Sequence, residues 1–144
     1  MISIGKLAVA DRPVWETLFQ GYNEFYGRTL PPEMYERAWT AFQQDSRMHA
    51  LGATIEGRLV GITHFLVHAS TTSPDVCYLP DLFTAPEARG KGVARALIDA
   101  VTEWAGARKC GRVYWSTHET NAVARRLYDQ VALNRGFILY QVNL

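Results

Sequence analysis

The sequence predicts an α+β fold of three layers, α/β/α, whose mixed central sheet is antiparallel in its N-terminal half and closes with a β-α-β crossover. Three observations predict it. Two helical stretches precede most of the strand-like segments, a Gly-containing turn at Glu56-Gly57-Arg58 joins two runs of strand character, and beyond Val76 strand and helix patterns alternate. The 144 residues carry no internal repeat, low-complexity tract or Pro/Gly-rich linker, so one domain spanning residues 1–144 is expected.

Ile2, Ile4 and Leu7 alternate as a short opening strand, after which Asp11 can cap a helix with Pro13 in its first turn. That helix is expected to run to about Tyr26, where Gly27 and the Leu30-Pro31-Pro32 turn break it. Pro32 opens a second helix through about Gln44, with Met34, Ala38, Trp39 and Phe42 as its apolar face. His49 to Glu56 and Leu59 to Ala69 read as a hairpin, and Ser70 to Asp75 as a polar loop. Val76 to Thr84 is the next strand and Val93 to about Ala107 a helix. Val113 to Thr117 is a strand, Asn121 to about Leu133 a helix, and Phe137 to Val142 a final strand.

Composition narrows the function classes. Fifteen Lys and Arg against 14 Asp and Glu leave a net charge of +1, which gives no global attraction for nucleic acid. No apolar run approaches the roughly 18 residues of a membrane span. The start MISIGKLAVADRP lacks the apolar core and cleavage site of a secretory signal, and Cys77 and Cys110 have no metal-type spacing, so a cytoplasmic protein with two unpaired thiols and no metal is expected.

The chemistry concentrates between Cys77 and Ala105. Ala94, Leu97, Ile98, Val101, Trp104 and Ala105 recur at helical spacing, while Arg95, Asp99, Thr102 and Glu103 fall on the other side. The N-terminus of this helix offers unpaired N–H groups and the positive end of its dipole, and Gly90 and Gly92 remove side chains that would hold a phosphate away. Arg89 and Lys91 add positive charge, so the turn suits a pyrophosphate; a plain glycine turn before a surface helix is the alternative. A P-loop would need Ser or Thr after its lysine, and Lys91 is followed by Gly92. A dinucleotide fingerprint would need a third glycine at Arg95 and glycines directly after the strand, where Ala85 to Ala88 intervene; Glu119, ending the next strand, is its only support. Further on, Asn121, Ala124 and Tyr128 share one helical face and can meet one ligand, although a cap at Asn121 and a packed ring at Tyr128 would also explain them.

Together these segments resemble the GNAT superfamily of acetyl-CoA-dependent N-acetyltransferases, whose signature is Arg or Gln, two residues, Gly, one residue, then Gly or Ala. Arg89, Gly92 and Ala94 match it, the preceding strand YLPDLFT from Tyr78 to Thr84 is similar to the family's YLEDLFV, and the Asn and Tyr seven apart also match. The similarity covers about Tyr78 to Phe137 and points toward the branch with spermidine/spermine, thialysine and small histone- or polyamine-acetylating enzymes.

The resemblance implies that the β-α-β unit binds acetyl-CoA. The main chain of Leu82, Phe83 and Thr84 would pair with the pantetheine arm like an added strand. Arg89, Gly90, Lys91, Gly92, Val93, Ala94 and Arg95 would wrap the pyrophosphate, Asn121 and Ala124 would meet the pantetheine, and Tyr128 would be the general acid at the CoA sulfur. The implied reaction is direct attack of a primary amine, on a small molecule or a peptide, upon the thioester. A non-catalytic acyl-CoA sensor is the alternative, and a homodimer is expected by resemblance.

Two departures from the family stand out. Polyamine-acetylating relatives often carry Glu where this chain has Pro80; the adjacent Asp81 is the candidate base, but strand alternation turns it to the opposite face unless a bulge intervenes. His118 and Glu119 are further candidates. The run DQVALNRGF after Tyr128 delays Gly136-Phe137, which predicts a last helix about one turn longer. Substrate contacts are expected from the end of helix one, with Glu24 and Tyr26, and from His118.

Overall fold

The computed structural model describes residues 1–144 and contains a five-stranded sheet in the order β1-β2-β3-β4-β5. The strands are β1 (Ile2–Gly5), β2 (His49–Ile55), β3 (Arg58–His68), β4 (Val76–Thr84) and β5 (Val113–Tyr114). Neighbours from β1 to β4 are antiparallel and β4 to β5 is parallel, which is the mixed sheet expected from hairpin and crossover signals. The helices are α1 (Arg12–Phe25), α2 (Pro32–Gln44), α3 (Val93–Ala107) and α4 (Ala122–Val131).

Helices pack on both faces of β3, as its alternating side chains require. His64 lies against Trp15 and Phe19 of α1 and Phe42 of α2, whereas Phe65 meets Trp104 of α3. Trp15 is the hub of the first layer, fully buried and within 6.4 Å, centroid to centroid, of Phe19, Tyr35, Trp39 and Phe42. In α2, Tyr35, Trp39 and Phe42 form the buried stripe, while Met34, expected on the apolar face, is 40% exposed. Asp11 occupies the N-cap position of α1, yet its carboxylate accepts from the Ala8 N–H at 2.7 Å and caps a preceding 3₁₀ turn instead.

Gly61 explains how α3 is seated. A Cβ there would stand 2.5 Å from Val93 Cγ1 and 3.3 Å from Leu97 Cδ1. The missing side chain therefore lets the first turn of α3 press onto β3 and holds the N-terminus of that helix near the end of β4.

The C-terminal fifth departs from expectation. The strand expected over Val113 to Thr117 pairs only at Val113 and Tyr114, and α4 ends at Val131 with no buried residue. The extra residues before Gly136 do not lengthen the helix; they form an irregular connection that starts at the extended Ala132 and turns at Gly136, whose N–H donates to Asn134 Oδ1 at 2.9 Å and whose φ is 81°. No strand forms over Phe137 to Val142, because a strand needs a hydrogen-bonded neighbour and nothing in this chain pairs with that segment.

Candidate active site

The site begins where β4 and β5 part. They pair only at Cys77 with Val113 and Tyr78 with Tyr114, while β4 runs on to Thr84. From Leu79 onward β4 therefore has a strand neighbour on one side only, β3, and its other edge is unpaired. Within that edge the Thr84 carbonyl accepts from Arg89 Nε at 3.3 Å, and the Arg89 guanidinium lies 5.5 Å from the centre of the Phe83 ring. Arg89 is thus folded back along the strand end.

Between the end of β4 and the start of α3 lies the glycine turn. Gly90 and Gly92 have φ of +78° and +85°, a region that L side chains rarely adopt, and no atom lies within 4 Å of where their Cβ atoms would be. Gly92 is the N-cap of α3 and offers no side-chain cap, so the first N–H groups of the helix stay available to an anion. Val93 turns its side chain into the core and can offer only its main chain, while Lys91 and Arg95 are exposed beside the turn.

A bulge in β4 turns Asp81 around. The register passes from Leu66 opposite Tyr78 to His64 opposite Asp81, so Phe65 stands across from two residues, Leu79 and Pro80. Pro80 suits this position because the ladder asks no N–H of it. Leu79 packs with Phe65, Val101 and Ala105, yet the Asp81 carboxylate reaches the opposite, α1 face. There Asp81 Oδ2 lies 2.9 Å from His64 Nδ1, and His64 Nε2 lies 3.0 Å from Trp15 Nε1. An indole N–H can only donate, so Nε2 carries the lone pair and Nδ1–H donates to Asp81. His64 is fully buried, and the Asp81 side chain is 22% exposed, so the ring grips the carboxylate without sealing it off. Thr63 Oγ1 donates to the Asp81 carbonyl at 2.8 Å, and Tyr22 donates to the Pro80 carbonyl at 2.9 Å, fixing the bulge from both flanks. Burial, then the nearby Asp81 charge, pushes the Tyr22 phenol well above its ordinary range.

A row of rings leads from the strand end to α4. Phe83 and Tyr22 are 6.5 Å apart, Tyr22 and Tyr26 5.0 Å, and Tyr26 and His118 5.5 Å. Tyr26 and His118 line an open depression of about 460 Å³ with Phe25, Thr120, Asn121 and Ala122. Glu24 is exposed and does not line it. Asn121 is the N-cap of α4: its Oδ1 accepts from the Ala124 N–H at 3.4 Å and its Nδ2 faces Thr117 Oγ1 at the same distance. Glu119 contributes its carbonyl to Arg125. Tyr128 packs edge-on against Trp115 at 5.4 Å; burial pushes its phenol up to about 12, with Tyr26 adding to the effect.

Sequence patterns therefore pointed to the glycine turn, to β4 and to the α4 face, but gave no notice of Trp15 and His64. A lone histidine inside the apolar run of β3 was the available signal. Its partners lie 49 and 17 residues away, and no periodicity links them. Cys77 is buried and Cys110 partly so; both are free, and burial raises the Cys77 thiol to about 11.

Comparison with known proteins adds to this picture. The acetyltransferase (GNAT) family matches residues 15–132. The D-amino-acid N-acetyltransferase HPA3 of Saccharomyces cerevisiae is 33% identical over 138 residues, covering 92% of this chain and 85% of that protein. The ribosomal-protein-alanine N-acetyltransferase of Brucella melitensis biovar Abortus 2308 superposes with a TM-score of 0.84 at 24% identity, covering both chains fully. The structure of AAC(6')-Iy with the bisubstrate analogue CoA-S-monomethyl-acetylneamine superposes at 0.83 and 18% identity, over 100% of this chain and 99% of the other. At these identities the two superpositions speak for the fold.

Proposed function

The chain belongs to the GNAT acetyltransferase family and is an acetyl-CoA-dependent N-acetyltransferase, and we propose that as one domain over residues 1–144 it acetylates a primary amine by direct attack, with Asp81 and Tyr128 flanking the reacting atoms. The observation that carries this reading is the β4–β5 split leading out to an uncapped helix start with an open glycine turn.

The residues present suit acetyl-CoA. The main chain of Leu82 and Phe83 would take the pantetheine along the free β4 edge, and the N–H groups from Gly90 to Arg95, with Arg89 and Lys91, would hold the pyrophosphate. Asn121 and Ala124 would border the arm at the start of α4. When bound, the cosubstrate supplies an activated thioester carbonyl; a β4 N–H is the candidate donor to its developing oxyanion.

Asp81 attracts the incoming ammonium; once that ammonium has given its first proton to solvent, the neutral amine attacks the thioester carbonyl, and Asp81 takes the second proton from nitrogen, directly or through water, as the C–N bond forms and the C–S bond breaks. Carboxylate and ammonium have ordinary pKa values about 6 apart, so the transfer runs well only once bonding has made the nitrogen acidic. At the other end the Tyr128 hydroxyl donates a hydrogen bond to the departing sulfur. A phenol raised to about 12 gives up its proton reluctantly, which favours hydrogen-bond stabilisation of the thiolate over full transfer. Tyr26 and His118 would meet the amine's substituent in the depression beside α4. We place the protein in the cytoplasm, where two free thiols persist.

The test is an amine panel with D-amino acids, L-amino acids, polyamines, aminoglycosides and lysine peptides. Thiol release and the mass of the acetylated product are read together. Saturable acetyl-CoA binding with no product from any amine would overturn the catalytic assignment.

A further inference from the structure

We infer that Arg28 receives a carboxylate of the acceptor, so that the amine acetylated is the α-amine of a free amino acid, with Asp81 facing its ammonium and Arg28 its carboxyl group. This names the substrate class of the acetyltransferase site and rests on the place proposed above for Asp81.

The main chain sets Arg28 at the end of α1. Gly27 turns left-handed with φ of +69°, its N–H donates to the Glu24 carbonyl at 2.9 Å, and the Arg28 N–H donates to the Asn23 carbonyl at 2.8 Å. That double closure ends the helix and fixes the residue just past the glycine. The exposed Arg28 side chain then lies back over the helix end, its guanidinium carbon 5.5 Å from the centre of the Tyr22 ring and 5.2 Å from that of Tyr26. The rings hold the charge in place and leave the N–H fork unspent, and the guanidinium forms no ion pair.

The Tyr22 hydroxyl connects Arg28 with Asp81. It donates to the carbonyl of Pro80, the residue before Asp81. Its acidity registers both neighbours: burial raises the phenol most, the Asp81 charge raises it further, and Arg28 beside the hydroxyl pulls it down. A cation and an anion thus stand near one phenolic oxygen without pairing with each other, and the one side chain that Asp81 engages in an ion-pair geometry is the neutral His64 ring. The complement of such a pair is a molecule whose ammonium and carboxylate are one carbon apart. A guanidinium fork meets the two carboxylate oxygens in parallel, which fixes the direction from which the amine approaches. Polyamines and aminoglycosides lack the carboxylate and bring further positive charge toward Arg28, so the same residue disfavours them.

The test measures kcat and KM for D- and L-α-amino acids, for their amides, for spermidine and for kanamycin, with the wild type, Arg28→Ala, Arg28→Lys and Arg28→Glu. Amino acids are expected to be the best substrates. Arg28→Ala should lower the acid-over-amide ratio of kcat/KM by about 10- to 100-fold, mainly through KM, as the loss of a charge-assisted pair dictates. Comparing that ratio between variants cancels the differing basicity of acid and amide. Arg28→Lys should recover part of it, and Arg28→Glu should turn the preference toward spermidine. An arginine serving only the negative end of the α1 dipole would change the melting temperature and leave the ratio fixed, which would overturn the inference. A wild type that acetylates spermidine or kanamycin but no amino acid would overturn it too. If no amine is acetylated, the catalytic reading falls separately, and calorimetric titration of the amino acids into wild type and Arg28→Ala in the presence of CoA still decides: binding lost with the arginine upholds its role, and equal or absent binding removes it.

Discussion

His64 Nδ1 stands 2.9 Å from Asp81 Oδ2, and the Trp15 indole on the far side of the ring decides that the proton between them belongs to the histidine. A buried ring with both nitrogens engaged has one tautomer and one orientation. It therefore acts on Asp81 as a fixed donor, independent of solvent.

His64→Leu is expected to lower kcat by about 10- to 100-fold while leaving the KM for acetyl-CoA within about twofold, since the carboxylate loses its aim and the cofactor cleft does not change. His64→Asn, which keeps a donor near Nδ1, should recover part of the loss. Steady-state kinetics of both variants check this; a KM effect without a kcat effect would mean that the ring is only structural. The Leu variant also leaves the Trp15 N–H buried without a partner, at a cost of about 1–3 kcal/mol read by urea melts.

Gly92→Glu should weaken acetyl-CoA binding by at least about 100-fold. The position needs φ of +85°, and the new carboxylate would sit at the helix start and repel the diphosphate. Calorimetric titration with acetyl-CoA measures it, and unchanged affinity would move the diphosphate elsewhere.

Tyr128→Phe should lower kcat by about 100-fold with little change in acetyl-CoA affinity. Because the Tyr128 pKa is raised to about 12, its hydroxyl remains protonated, and therefore able to donate, throughout the accessible alkaline range. Wild-type kcat/KM should accordingly rise with pH as more of the amine becomes neutral, with no decline below about pH 10 from tyrosine ionisation. A decline centred nearer neutrality and lost in the Phe variant would contradict this.

Gly61→Ala should destabilise the fold by about 1–3 kcal/mol, since its Cβ would meet Val93 Cγ1 at 2.5 Å in a packed layer where neither element can retreat. Denaturant unfolding measures the loss. Acetyl-CoA affinity should fall with it, because the same contact seats the first turn of α3.

The glycine turn, the amphipathic α3 and the cap-to-tyrosine spacing of α4 were legible because their signals are local. A positive-φ glycine, a 3.6-residue period and a seven-residue interval each lie within a few turns of chain. The bulge at Leu79 and Pro80 was not legible, although Asp81 needed one to reach its present face; two strands choose their register together, and neither sequence states it alone. The same holds for His64, whose meaning comes from partners on α1 and β4.

Sequence alone marked the segments competent for helix, for strand and for the glycine turn, and it read the tail from Phe137 as strand-like. Tertiary structure alone decided that Asp81 points at a buried histidine and that the tail has no edge within its own chain. The physical reason is one and the same: helices and turns close their hydrogen bonds within a few residues, whereas strands and buried polar pairs depend on groups that only folding brings near.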